Sequence, residues 1–313
     1  MQKRILIISL LLLLGLASIG ATAEKLVFRT DSVRVFYVEN NRLLAARVAR
    51  EASQVLRELS ALFNLPFTGE VFVFLEANRQ EWQQETGERL PDWSQAVTKT
   101  ETGIVYLLVK PAGDRDLSIV LRHELVHVLL GRNVPAGLLP RWFEEGVAML
   151  YSGESLSDYA SILSRANLTH SLLTLAEIEN VLQFQRGKAN LAYAESYLSV
   201  KMIVDALGWP ALNQLLKSTL QFQNWQSAFQ AVLEMDSEQF QWQLFNYVHD
   251  HYRWSFFLQS DYLLWIVLPI LAVAAYVIIR LRNYRTYRRW QQEEEVEEAE
   301  DDDNDEAQNQ RLF

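Results

Sequence analysis

The period of apolar positions switches several times along this chain, and each switch marks an element. Residues 32–38 (SVRVFYV) and 70–75 (EVFVFL) alternate apolar with polar, as half-buried strands do. Between them, residues 41–63 place Leu44, Val48, Ala52, Val55, Leu59 and Leu62 three and four apart, the spacing of an amphipathic helix. A short polar helix is expected at 78–88. Strands follow at 95–97 and 104–110, joined by a turn through Thr100, Glu101, Thr102 and Gly103. Beyond 150 the pattern is helical almost throughout. Short helices are predicted at 155–166 and 173–182, and a longer one at 192–207, stopped by Gly208-Trp209-Pro210. Three more follow at 211–220, 225–233 and 236–251. A mixed α/β half followed by a helical half predicts an α+β fold with two subdomains.

Between the halves lies 121–130 (LRHELVHVLL), with Asp116 as its expected N-cap and Gly131 as its expected C′ residue, a helix of about four turns. Leu117, Val120, Leu121, Leu125, Val128 and Leu129 make this helix a buried one. Inside it, His123 and His127 stand four apart on one face, where they can hold a single metal ion. Glu124, one step round, is placed to take a proton from a water on that metal. A second helix is expected after a turn containing Gly131, Pro135 and Gly137, entered through Pro140 (PRWFEEGVA). It offers two carboxylates, Glu144 and Glu145. A carboxylate there supplies the third protein ligand that a catalytic zinc needs, with the fourth position left to water.

The two ends direct the chain across a membrane. Lys3 and Arg4 precede an apolar run from Ile5 to Ile19, and Ala21-Thr22-Ala23 has the form of a signal-peptidase site. Residues 1–23 therefore read as a signal peptide; an uncleaved anchor is the alternative, with the same topology. Residues 262–279 (YLLWIVLPILAVAAYVII) carry no charge and span roughly 27 Å as a helix, enough for a bilayer core. Arg280, Arg282, Arg285, Arg288 and Arg289 follow at once. By the positive-inside rule the span, 262–281, is single-pass type I at the cell membrane, with residues 24–255 extracytoplasmic and the C-terminus cytoplasmic. Residues 282–313 form a basic then acidic tail, expected to be disordered, that fits either a contact for a cytoplasmic partner or a solubilising end.

Charge excludes one class of function. The net charge of −10 comes from the tail: residues 291–313 carry eleven acids and one arginine, which leaves 28 basic against 28 acidic residues elsewhere. A balanced body gives no sign of a nucleic-acid surface. The absence of cysteine excludes both disulfide staples and a thiolate metal site.

H-E-x-x-H (123–127) followed by W-x-x-E-G-x-A (142–148) resembles the gluzincin zinc metallopeptidases, and the local context looks most like the bacterial peptidase MA-like domains. The resemblance implies a zincin-like fold, one Zn2+ held by His123, His127 and Glu145, and a protein or peptide substrate. Glu124 would be the general base. Tyr193, with Tyr197 as runner-up, would steady the oxyanion from the later helix, in a Tyr-x-x-small sequence (193–196). It also implies that the strand before the metal helix, 103–110, is an exposed edge that pairs with substrate. That strand lacks the G-x-M-E-N motif whose acid holds a free amino group in the aminopeptidase-N-type members, which favours cutting within chains. Two rival readings stand beside this one: a membrane-tethered protein-binding module of the same fold that does not cut, and a hydrolase of non-peptide bonds such as epoxides or esters.

Overall fold

The computed structural model of the protein describes residues 25–87, 94–109, 117–155, 157–253 and 262–309. The expected signal peptide and Asp116 lie outside the described residues. The chain divides into two compact units, Met1–Arg253 and Trp254–Phe313.

The first unit opens with a five-stranded sheet in the order β1-β2-β3-β5-β4. Its strands are β1 (Leu26–Arg29), β2 (Val33–Tyr37), β3 (Val71–Glu76), β4 (Ala96–Lys99) and β5 (Ile104–Leu108). The central strands β2, β3 and β5 run parallel, while β1 and β4 are antiparallel edges. Val33, Val35, Val71, Val73, Val105 and Leu107 point to one face and are fully buried there. On them lies α1 (Arg42–Phe63), through Ala45, Val48, Ala52, Leu56 and Leu59. The opposite face carries a row of rings, Phe36 on Phe74 at 4.4 Å and Phe74 on Tyr106 at 5.0 Å. The short helix α2 (Arg79–Thr86), N-capped by Asn78, covers part of that face with the buried ring of Trp82.

One expectation about the sheet changes here, and one strand is added. The strand expected to pair with substrate, 103–110, is not an edge: among the described residues β5 lies between β3 and β4, so the exposed edge on that side is β4. Strand period alone gives no pairing order, and the four residues of β4 close the sheet by turning back antiparallel. β1 was not foreseen, because four residues offer too few alternations to read.

The remaining helices of this unit are α3 (Leu117–Asn133), α4 (Arg141–Ser152), α5 (Ser157–Leu168), α6 (Arg186–Leu207), α7 (Trp209–Phe222), α8 (Trp225–Leu233) and α9 (Ser237–Tyr252). Gly131 does not end α3, which runs on to Asn133. Its lack of a side chain instead admits Thr100 from the turn after β4, since a Cβ there would collide with Thr100 Cβ. Residues 173–182 are not an α-helix. A reciprocal pair of hydrogen bonds between Thr174 and Glu177 starts a 3₁₀ segment, Glu177–Gln183, whose buried Ile178 and Val181 are three apart as that geometry requires. α6 begins six residues earlier than expected, so Tyr193 sits two turns inside it rather than at its start. Trp142 of α4 is buried against Trp225 and Phe229 of α8 and Phe240 of α9, which locks α4 to the helical half.

The described residues of the second unit form one helix, α10 (Tyr262–Asn309). Among the described residues, Val267–Gln291 is the stretch long and apolar enough to cross a membrane, and none of it is buried. It fits a membrane anchor, and it overlaps the expected span. The helix continues through the acidic stretch as far as Asn309. No glycine or proline follows Pro269 before Asn309, and the Glu and Ala that make up most of the first half of the acidic stretch are good helix formers.

Candidate metal centre

α3 and α4 cross so that the two histidines of one helix face the glutamate of the other. His123 Nε2 lies 3.2 Å and His127 Nε2 3.6 Å from Glu145 Oε2. Two donors about 2.1 Å from a common tetrahedral ion stand ~3.4 Å apart. The spacing observed therefore suits one zinc-sized cation, and these three residues form a group that could hold a metal. Both imidazoles are half-buried and Glu145 is 2% exposed, so a cation there would meet little competing water.

The surroundings fix each donor. His123 Nδ1 lies 3.3 Å from Glu154 Oε1, and Glu154 Oε2 accepts the Tyr159 hydroxyl at 2.6 Å. A carboxylate behind Nδ1 holds the proton there and leaves the Nε2 lone pair free for a metal. On the other side, Arg141 Nη2 lies 2.8 Å from Glu145 Oε1, which leaves Oε2 toward the histidines. Burial would raise the Glu145 pKa, but the Arg141 guanidinium, with His127 and His123, holds it well below the usual carboxylate range. Burial would lower that of His123, yet its hydrogen bonds to Glu145 and Glu154 push it up to about 10. A metal ion and the second ring proton compete for Nε2, so the group is built for positive charge of either kind.

Glycine 146 decides how close Glu145 comes. A Cβ at Gly146 would run into the carbonyl oxygen of Ser196 and a methyl of Val200, both on α6. The helices thus cross in backbone contact beside Glu145. Glu144, the other carboxylate, is not one of the three: it is half-buried and stands 3.9 Å from Arg141 Nη1. Its pKa is raised by burial, against the pull of His127 and Arg141.

Glu124 is half-buried, next to His123, and accepts a hydrogen bond from Thr98 Oγ1 at 2.6 Å. Tyr193 is half-buried on α6 and lies close enough to Arg141 to raise its pKa, behind the larger effect of Glu145. Tyr197 is buried; burial raises its phenol, with Lys201, Asp205 and Glu154 in electrostatic range. Among the other histidines, His251 bonds Tyr247 O at 3.0 Å and stacks on its ring, and His170 occupies a left-handed turn.

Sequence reasoning missed three members of this constellation. Arg141 stands one helical turn before Glu145, a spacing that could have been read as an ion pair. Glu154 and Thr98 arrive from a loop and a strand with no spacing to betray them.

A sheet with an antiparallel edge, a histidine-bearing helix beneath that edge and a glutamate brought in by the next helix define a zincin-like domain of the metallopeptidase type. The comparison with family models agrees: the Peptidase MA superfamily model matches residues 52–250, well over half of the chain. This protein belongs to that superfamily. No curated protein matches it.

Proposed function

We propose that the protein is a membrane-anchored zinc metallopeptidase of gluzincin type that cuts within extracytoplasmic or membrane-proximal protein chains. The observation that carries this reading is the convergence of His123, His127 and Glu145 at metal-ligand spacing with Glu124 beside them. A bound zinc would supply Lewis acidity and bring the pKa of water toward neutrality. Glu124 then takes the proton of the attacking water and returns it to the leaving amine. Tyr193, on the α6 face beside Arg141, is the phenol we assign to the developing oxyanion. The substrate backbone would pair with β4, the exposed edge nearest Glu124, and not with β5.

The membrane part of the reading rests on Val267–Gln291 and the five arginines in its second half. It places the first unit outside the cell membrane, after removal of residues 1–23, and the acidic end of α10 inside. A protein-binding module that does not cut is the alternative. It has no chemical need for Glu124 beside a complete ligand set. The deciding experiment is digestion of casein and quenched peptides by the detergent-solubilised full chain, with and without a chelator, alongside metal analysis. Stoichiometric zinc and chelator-sensitive cleavage are expected. Absence of both overturns the proposal, and zinc without cleavage of any peptide favours the binding module.

A further inference from the structure

Thr98 sits on the edge strand, 26 residues before Glu124 in sequence, yet its hydroxyl is 2.6 Å from Glu124 Oε2. Register explains how it gets there. Thr98 pairs with Val105, whose side chain is fully buried on the face that α3 lies against, so Thr98 points to the same side. Its neighbours Val97 and Lys99 point to the other face, and Lys99 Nζ reaches the Thr86 carbonyl there. Ala96 shares Thr98's side but carries no donor.

The strand is also held against α3 at a second point. Thr100 fills the space that Gly131 leaves open, seven residues along the helix from Glu124. The Thr98–Glu124 hydrogen bond is thus the end of a seated strand rather than one rotamer of a free side chain. Threonine is itself stiff at χ1, so a hydroxyl on this branched carbon has few other places to go. A hydrogen bond from a hydroxyl to a carboxylate at this distance is a strong, charge-assisted one.

We infer that Thr98 is a positioning residue for Glu124: its hydroxyl occupies Oε2 and fixes the carboxylate plane, so that Oε1 is the oxygen turned to the attacking water. This rests on the proposed peptidase reading and deepens it. The same strand that would take the substrate backbone would also set the angle of the base, so docking and proton transfer share one element.

The test compares Thr98→Val, which keeps the shape and removes the donor, with Thr98→Ser, which keeps the donor. Thr98→Ala is a second donor-free variant should valine impair folding. In the full chain, Thr98→Val should lower kcat about tenfold, the scale of one charged hydrogen bond, with KM within twofold. Zinc content and Tm should stay close to wild type, and Thr98→Ser should restore most of kcat. A strand that merely held structure would lose Tm and KM together and would not be rescued by serine. Unchanged kcat in Thr98→Val and Thr98→Ala, or a loss in Thr98→Ser equal to theirs, overturns the inference while leaving the peptidase reading intact. A wild-type chain that binds zinc and cuts nothing overturns both.

Discussion

Arg141 and Glu145 form an ion pair within one helix, Nη2 to Oε1 at 2.8 Å, beside the candidate metal ligands His123 and His127. Glu145 is buried, and Arg141 Nε is buried without a hydrogen-bond partner among the described residues. Removing one partner of such a pair strands the other's charge, and a bound cation would compensate for it. Arg141→Met should therefore destabilise the chelated protein by about 1–3 kcal/mol, discounted for the exposed third of the arginine, and by much less at saturating zinc. Thermal melts of wild type and variant, with chelator and with zinc, check this. An equal loss in both conditions refutes it.

Glu124→Gln removes the base but no ligand. It should keep stoichiometric zinc and reduce peptide hydrolysis by at least a hundredfold. His127→Ala should lose both. Metal analysis paired with a fluorogenic peptide assay separates the two outcomes, and full activity in Glu124→Gln would rule out its role as base.

Glu154 reaches the candidate ligand group through His123 Nδ1, 3.3 Å away. Glu154→Ala should weaken zinc binding about ten- to hundredfold, the usual scale for losing the carboxylate behind a ligand histidine. Competition against a chromogenic chelator measures it. Affinity equal to wild type would show that the contact does not tune the site.

Gly146→Ala sets two effects against each other. Alanine is favoured in a helix interior by about 1 kcal/mol, whereas overpacking costs about 1–3 kcal/mol. The obstacle is the Ser196 carbonyl, which is backbone and cannot swing aside, so packing should win. The variant should melt lower and bind zinc more weakly, since Glu145 is its neighbour. A higher Tm would show that α6 yields.

Glu195 is fully buried on α6 and accepts the backbone N–H of Leu173 with both oxygens. Burial pushes its pKa up to about 8, despite that hydrogen bond and helped by Glu177. A carboxyl whose folded pKa is raised contributes stability below its unfolded value near 4.5, and that contribution is lost as pH rises through 8. The loss is on the order of a few kcal/mol. Glu195→Gln keeps an acceptor for Leu173 and cannot ionise. The difference in Tm between variant and wild type should grow from pH 5 to pH 8.5. A constant difference would refute the assignment.

How much of this was legible in the chain depends on where the partners lie in sequence. His123, Glu124 and His127 share one helix, and Glu145 opens the next behind a tryptophan and before a glycine, so local spacing was enough to find them. The elements themselves were also visible: the helix at 41–63 and the strands at 32–38 and 70–75 fall within a residue of Arg42–Phe63, Val33–Tyr37 and Val71–Glu76. What period cannot express is which strand lies beside which. The substrate edge was therefore assigned to 103–110 when pairing puts β4 outside it. Gly131 and Gly146 were read as a helix stop and a motif letter, whereas each is a place where another element comes too near for a side chain. Thr98 and Glu154 escaped because a hydrogen bond across the fold leaves no mark on local pattern.

The length of α10 carries a consequence of its own. If the apolar stretch ends near Ile279 at the inner face of a bilayer, the acids from Glu293 to Glu306 ride on the same unbroken rod about 20–40 Å farther on. That is more than two screening lengths at physiological salt, which is about 8 Å. Headgroup charge would fade before reaching them, so the field around these acids would depend little on which lipids surround the foot of the helix.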